Sequence, residues 1–283
     1  MNEPEMSDGR RDNGPWSDAA RILVERRRSL TPIDPLPESL RPRDEAEGYA
    51  LQQVAKQRLA AAGLGPAVGH KIGCTTAVMQ AFLGIPNPCA GNVYAAGVLR
   101  RGGRVPRHRF VKLGIECEIA VELGSDLEAG DGFDGAQDSP FDRERVAAAV
   151  KAVMPAIEIV DDRYRDFRAV GVPTLIADDF FHSGCVLGEP VLDWQRLDLA
   201  SLTGATFIDG AEVGRGTGAS VMGHPLNALA WLANARSKLG IGPLRQGEFV
   251  LLGSLVETRW LRAGMRTRIE IEQLGELELI VDP

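Results

Sequence analysis

The sequence predicts an α+β protein, with a mostly antiparallel or mixed β core, flanking helices and a helical N-terminal section. Two helical patterns precede Gly69, and after it the chain breaks into short β-rich runs separated by Gly, Pro and Asp. Those runs do not alternate regularly with helices, which argues against a doubly wound parallel sheet.

The elements follow in order. Residues 1–16, "MNEPEMSDGRRDNGPW", are polar and turn-rich and are expected to be a disordered tail. Ser17-Asp18 offers a helix cap before "AARILVERRRS", whose terminal cations suit a helix C-terminus. "TPIDPLPESLRP" (31–42) is too rich in proline to be helical throughout and is expected to be an extended connector. A second helix is expected from about Asp44 to Ala62, ended by Gly63 and Gly65. The helical section thus spans 17–66 and the β-rich core 67–283.

Strands are expected in "VYAAGVL" (93–99), "GIECEIAVEL" (114–123), "PAIEIV" (155–160), "GCVLGEPV" (184–191), "ATFIDGAEVG" (205–214), "EFVLLGSL" (248–255) and "TRIEIEQLGELELIV" (267–281). Asp209-Gly210 signals a hairpin turn. One clear helix interrupts the strands, "HPLNALAWLANARSKLG", with Pro225 in its first turn and Gly240 past its end. "GDGFDGAQDSP" (130–140) is expected as a surface loop whose acidic spacing misses the EF-hand pattern. "GRGTGAS" (214–220) lacks the spacing of a phosphate loop, so its glycines are expected to serve turns.

Composition excludes several classes. Of 283 residues, 44% are hydrophobic and 25% charged, ordinary values for a globular protein. A net charge of −7 argues against nucleic acid as a partner. The basic run Arg100 to Arg109 has no interleaved aromatics and is expected to be a solvated loop. No apolar run approaches the ~18 residues of a membrane span. Cys74, Cys89, Cys117 and Cys185 form no CxxC pair, so a zinc ribbon is not expected. With a polar start and no disulfide pattern, a cytoplasmic location with reduced thiols is expected.

The chemistry lies in three stretches. On a strand, Ile115, Cys117, Ile119 and Val121 share one face, and Glu116, Glu118 and Ala120 the other. Two carboxylates on one face repel if both are ionised, so that face is wet or a cation is bound there. Glu158 repeats the pattern between Ile157 and Ile159. Three converging carboxylates would suit a hard divalent cation. "GHKIGCTT" places Lys71 between Gly69 and Gly73, where the backbone permits close approach. A lysine there can hold a carboxylate or move a proton.

Taken in order, "GHKIGCTTAVMQ", "GIECEIAVEL", "PAIEIVDDR", "IADDFFHSGCVLG", "GHPLNALAWLAN" and "GEFVLLGSLVE" resemble the fumarylacetoacetate hydrolase superfamily, in particular its 2-keto-4-pentenoate hydratase / 4-oxalocrotonate decarboxylase branch. The resemblance runs from about Ser17 to the C-terminus. It implies a mixed β-roll core, Mg²⁺ or Mn²⁺, assembly into homo-oligomers and a small 2-oxo acid substrate. It implies Glu116, Glu118 and Glu158 as metal ligands and Lys71 as the catalytic lysine. The implied reaction is metal-dependent hydration of an unsaturated 2-oxo acid in aromatic catabolism. An acylpyruvate hydrolase, a 2-oxo acid decarboxylase and a non-catalytic 2-oxo acid binding protein are the alternatives.

Two segments depart from the family pattern. "IPNPCAG" puts Asn87 and Cys89 where the family carries acids, and "ADDFFHSG" puts Asp179, Phe181 and His182 where it carries Asn and a small polar pair. Both segments line the substrate pocket in the family, so Asn87, Cys89 and Asp179 are expected to contact substrate. His182 is expected to take over general acid/base work or to be a packed histidine. Asp161 is expected to support the metal shell or to cap a turn.

Overall fold

The computed structural model describes residues 14–129 and 140–283. The tail of 1–16 and the acidic loop of 130–140 therefore lie almost wholly outside the described residues.

Two helices open the chain. In α1 (Ser17–Ser29) the expected Ser17 cap does not form. Trp16 stands at the cap position without a side-chain bond, and Ser17 Oγ instead accepts from Arg58 Nη2 at 2.7 Å. Helix α2 (Glu45–Leu59) starts on Asp44, whose carboxylate accepts the Glu47 N–H at 2.9 Å. A wide turn over Ala60–Leu64 follows it.

The β-rich part begins with β1 (Ala67–Gly73), a short helix α3 (Ala77–Leu83) and β2 (Cys89–Tyr94). The strand expected over 93–99 is broken by a tight turn, and its second half is β3 (Val98–Arg100). β4 (Gly103–Pro106) follows, then the long strand β5 (Leu113–Leu123). Helix α4 (Arg143–Ala149) runs straight into β6 (Val150–Asp161). Helices α5 (Phe167–Val170) and α6 (Val172–Ala177) precede β7 (His182–Leu187). A hairpin of β8 (Thr203–Ile208) and β9 (Ala211–Thr217) leads to helix α7 (Pro225–Leu239). β10 (Phe249–Ser254), β11 (Arg259–Trp260), β12 (Arg266–Ile271) and β13 (Gly275–Asp282) complete the chain.

Local chemistry explains most of these boundaries. Asp209 and Gly210 both have positive φ, 50° and 85°, as a two-residue hairpin requires. Helix α7 starts on His224, whose Nδ1 accepts the Leu226 N–H at 3.1 Å, and stops at Gly240 with φ 62°. The basic run is not a loop but two short strands and a turn. Arg101 pairs with Glu189, Arg104 with Asp282, and Arg107 donates to the Phe110 and Val111 carbonyls. The glycines of "GRGTGAS" serve close packing rather than a turn. A Cβ at Gly216 or Gly218 would fall 1.9 or 1.8 Å from the carbonyl oxygen of Leu255 or Leu199.

The strands form two mixed sheets. The larger has eight strands in the order β2-β1-β10-β5-β6-β7-β3, with β11 also on β5. The smaller has five, in the order β4-β13-β12-β8-β9. β1–β10, β3–β7 and β4–β13 pair in parallel, the remaining neighbours antiparallel. One face of β5, carrying Ile115, Cys117 and Ile119, packs into the main core with Ile269, Leu279 and Val281 of the smaller sheet. Residues of α1, α2, α6 and α7 join that core. The opposite face lies inside the curl of the larger sheet, where Ala120, Met154, Ala156, Cys185 and Leu251 form a second cluster.

The curl brings the two ends of the larger sheet together. A Cβ on Gly184 of β7 would lie 2.7 Å from the carbonyl oxygen of Gly97, in the turn after β2. Gly184→Ala is expected to force these backbones apart and lower stability by about 1–3 kcal/mol. The check is a lower urea midpoint at an unchanged slope.

Candidate metal centre and its cavity

Register decides what sequence periodicity left open. β5 and β6 pair with Glu116 opposite Glu158 and Glu118 opposite Ala156, so all three glutamates project on the inner face of the curl. One ligand atom from each can be chosen so that all lie within 4.8 Å of one another. Glu118 and Glu158 are fully buried. Lys71 reaches them from β1, across the concave side of β10 and β5, and its Nζ stands 3.1 Å from Glu158 Oε1. Gly73 leaves room for this, since a Cβ there would meet Lys71 Nζ at 3.2 Å and the Phe180 ring at 3.0 Å.

Each carboxyl has part of its valence met by the chain. Thr258 Oγ1 donates to Glu116 Oε1. The Gly253 N–H donates to Glu118 Oε2 at 2.9 Å. Glu158 Oε1 accepts from Lys71 and from His182 Nδ1, the latter at 2.9 Å. Glu118 Oε1 and Glu158 Oε2 are buried with no hydrogen-bond partner. Buried carboxylate oxygens are seldom left so.

The electrostatics follow from this inventory. Burial pushes the Glu118 carboxyl well above its ordinary range, and the charges of Glu158 and Glu116 add to that. Glu116 is raised by burial first and then by the charge of Glu158, against the opposing pull of Lys71 and Thr258. Burial also acts on Glu158, but the Lys71 ammonium and the bond from His182 outweigh it and hold that carboxyl at about 2. Burial lowers Lys71, yet the three glutamates leave it raised on balance. The protein alone thus settles one ion pair, Lys71 with Glu158, and leaves two carboxyls short of positive charge. Oxygen ligands, buried and unpartnered, suit a hard divalent cation.

The segment "DDFFH" is held in an unusual conformation. Asp179, Phe180 and Phe181 all have positive φ, 57°, 48° and 67°. Such a run is costly for residues other than glycine and needs external support. Asp178 receives Arg163 Nε and Nη2 at 3.0 and 2.8 Å and the Tyr164 hydroxyl at 2.9 Å. Asp179 receives the Asn92 N–H and Nδ2 at 2.9 Å each, and Arg27 Nη1 at 3.0 Å. Arg27 and Arg163 also both donate to the His182 carbonyl at 3.0 Å. The clamped turn sets His182 against Glu158 and turns Phe180 and Phe181 toward a cavity of about 640 Å³. Lys71, Glu116 and Thr258 line the polar end of that cavity.

Residues 81–282 match the fumarylacetoacetate (FAA) hydrolase C-terminal family. The chain belongs to this family. Among its relatives, a 2-keto-4-pentenoate hydratase of Paraburkholderia phymatum is 35% identical over 272 residues, 96% of this chain and 98% of the relative. A second 2-keto-4-pentenoate hydratase, from Paraburkholderia xenovorans, is 34% identical over 238 residues, 84% of either chain. A solved structure of 4-oxalocrotonate decarboxylase from Pseudomonas putida G7, complexed with magnesium and adipate, superposes with a TM-score of 0.84. That structure is 24% identical to this chain and covers 93% of it, with 96% of its own length matched.

Within the family fold, four of the expected site residues stand apart from the cavity. Asn87 Nδ2 donates to Glu45 at 2.9 Å. Cys89 is fully buried, its thiol pushed well up by its contact with Cys74 and by burial, which leaves it unreactive. Both oxygens of Asp179 are taken by Asn92 and Arg27. His182 is buried behind Glu158 and is not among the residues lining the cavity, the setting expected of a packed histidine. Asp161 accepts the Lys112 and Val111 N–H groups at 2.7 and 3.2 Å, so it caps the turn into β5. Sequence reasoning missed Thr258, Gly253, Arg27 and Arg163, which no local motif marks.

Arg27 is 91% buried by side chain and serves two buried carboxylates, at 3.0 Å from Asp179 and 3.8 Å from Asp178. Arg27→Met is expected to cost about 3–5 kcal/mol, the usual penalty for stripping a buried charge of its partner. Urea unfolding of the variant checks it.

Proposed function

We propose that this chain is a divalent-metal-dependent hydratase of a small unsaturated 2-oxo acid. The observation that carries this is the cluster of Glu116, Glu118 and Glu158 beside Lys71 at the polar end of the cavity, with two buried oxygens unpartnered. The two hydratase relatives, matched over most of their lengths, support the reaction class. The magnesium complex of the decarboxylase supports the choice of cation. Mg²⁺ or Mn²⁺ is the cofactor proposed, held by Glu116, Glu118 and Glu158.

When bound, the cation supplies Lewis-acid stabilisation to charge developing on the substrate's oxygens. The residues of the chain do the rest. Lys71, kept charged by its carboxylate neighbours, donates hydrogen bonds to the carboxylate and oxo oxygens of the substrate. As the dienol ketonises, its hydroxyl loses a proton and its far carbon gains one, and Lys71 is the group proposed to carry that proton. Water then adds to the conjugated enone. Glu158, fixed by His182 and Lys71, holds Lys71 in place; His182 acts here as a positioning residue. Residues 67–283 form the catalytic core, and the helical section 17–66 brackets Arg27, which secures the turn ahead of His182. Cytoplasmic homo-oligomers complete the proposal.

The second reading is a 2-oxo acid decarboxylase, favoured by the fold shared with 4-oxalocrotonate decarboxylase. Product analysis separates the two, since hydration keeps every carbon and decarboxylation releases CO₂.

The first test is a thermal shift with Mg²⁺ and oxalate, alone and together. Stabilisation that needs both supports the proposal, and no response to either refutes it. Glu118→Gln is expected to weaken Mg²⁺ by more than the ~10–100-fold typical of outer-sphere partners, as read by titration calorimetry. Lys71→Met is expected to lower kcat by roughly 10²–10⁴-fold while Mg²⁺ still binds. Metal binding also has a definite pH dependence. Burial raises the Glu118 and Glu116 carboxyls, so any proton they hold must leave when the cation binds, and affinity is expected to rise with pH. The gain approaches tenfold per pH unit for each proton displaced, roughly, and Kd measured across pH 6–8 reads it.

A further inference from the structure

We propose that the substrate of this site carries an uncharged, bulky apolar tail, an aryl or branched alkyl group, and that Phe181 and Phe167 select it. The inference rests on the 2-oxo acid reading above and adds the chemistry of the far end.

The cavity has two different ends. Lys71, Glu116 and Thr258 line one; Phe180, 5.4 Å from Lys71 Nζ, starts an aromatic series that continues through Phe181 to Phe167, with Leu83 and Met79 also in the lining. A ligand with a polar head and an apolar tail matches that division. Size points the same way. At ~30 Å³ per non-hydrogen atom, the volume share of a liquid water, a five-carbon 2-oxo acid needs roughly 250 Å³. The cavity offers about 640 Å³, room for a tail of ring size.

The aromatic wall is fixed rather than loose. The Phe181 ring meets Tyr164, Phe180 and Phe167 edge to face, with centroids 5.0, 5.5 and 5.7 Å apart. The clamped left-handed turn beneath it sets where that ring stands. Such a wall favours an aryl or branched tail by packing and edge-to-face contact.

Charge excludes the obvious rival, a second carboxylate. Among the described residues the cavity is lined by two cations, Lys71 and Lys112, against Glu116, Asp162 and Glu257. Lys71 is committed to Glu158, and Lys112 Nζ sits 3.0 Å from Asp162 and 4.1 Å from the centre of the Trp260 ring. Arg168 is another candidate, beside the lining residue Phe167. It stacks on Phe82 and Phe167 at 4.8 and 5.5 Å from their ring centres and is not part of the lining. A distal carboxylate would enter an anionic cavity with no free cation to meet it.

The test is calorimetry on the Mg²⁺-loaded protein with three saturated 2-oxo acids: 2-oxopentanoate, 4-phenyl-2-oxobutanoate and 2-oxoadipate. The phenyl compound is expected to bind at least ~10-fold tighter than 2-oxopentanoate, and 2-oxoadipate more weakly than either. Phe181→Asn, a residue that accepts the left-handed backbone, is expected to cut the phenyl-to-pentanoate ratio about 10-fold. Phe167→Ala, outside that turn, gives the same readout if the first variant fails to fold. Equal binding of phenyl and pentanoate tails overturns the proposal. So does preference for 2-oxoadipate, and its loss in Arg168→Ala would then name the cation responsible. If none of the three acids binds, the 2-oxo acid reading itself falls, and the tail assignment with it.

Discussion

The structure depends on one electrostatic constraint: three carboxyl groups share the inner face of a buried sheet with a single ammonium. Two like charges 4 Å apart repel by about 4 kcal/mol at the effective dielectric of a protein interior. Three such groups persist there only if positive charge, protons or hydrogen-bond donors answer them. The curl of the larger sheet is what brings the answer within reach. It lets Lys71 cross two intervening strands, while a register shift in the neighbouring β10 turns the Gly253 N–H to Glu118, and Thr258 gives its hydroxyl to Glu116. What remains unmet, one oxygen on Glu118 and one on Glu158, is what the proposed cation would answer.

A second layer of buried charge supports the first without touching the cavity. Arg27 and Arg163 neutralise Asp178 and Asp179, and both guanidinium groups close on one carbonyl, that of His182. Buried pairs of this kind add little net stability over apolar packing. Here they have a different effect: they hold three consecutive residues in a left-handed conformation that the backbone would otherwise abandon. The first helix of the chain is thereby tied to the geometry of Glu158, although no residue of that helix lines the cavity.

The three glutamates and Lys71 were legible because their signals are local. A period of two put Glu116 and Glu118 on one face, Glu158 interrupted an apolar strand, and Lys71 stood between glycines. Whether that face was wet or enclosed was not legible, because the answer lay in the pairing of Glu116 with Glu158 across two strands. The mixed sheet and the long helix were readable from turns and caps. Helices α3 to α6 were missed because they are short, four to seven residues, and offer little periodicity. Asp179 and His182 were assigned from the family pattern, and their setting was not legible because nothing in "DDFFH" announces a left-handed turn. Asn87 and Cys89 were assigned from the family pattern, whereas here a bond to Glu45 and full burial remove them from the cavity.

Trp260 gives the protein a property unrelated to its chemistry. Its ring closes one side of the cavity, seated on Gly114, where a Cβ would come within 2.8 Å of it, and faced by Lys112. Trp16, Trp194 and Trp231 pack against the main core instead. One tryptophan of four therefore borders whatever fills the site, beside the Lys112 ammonium. The molecule carries its own optical gauge of occupancy, one that needs no label, no turnover and no knowledge of the product.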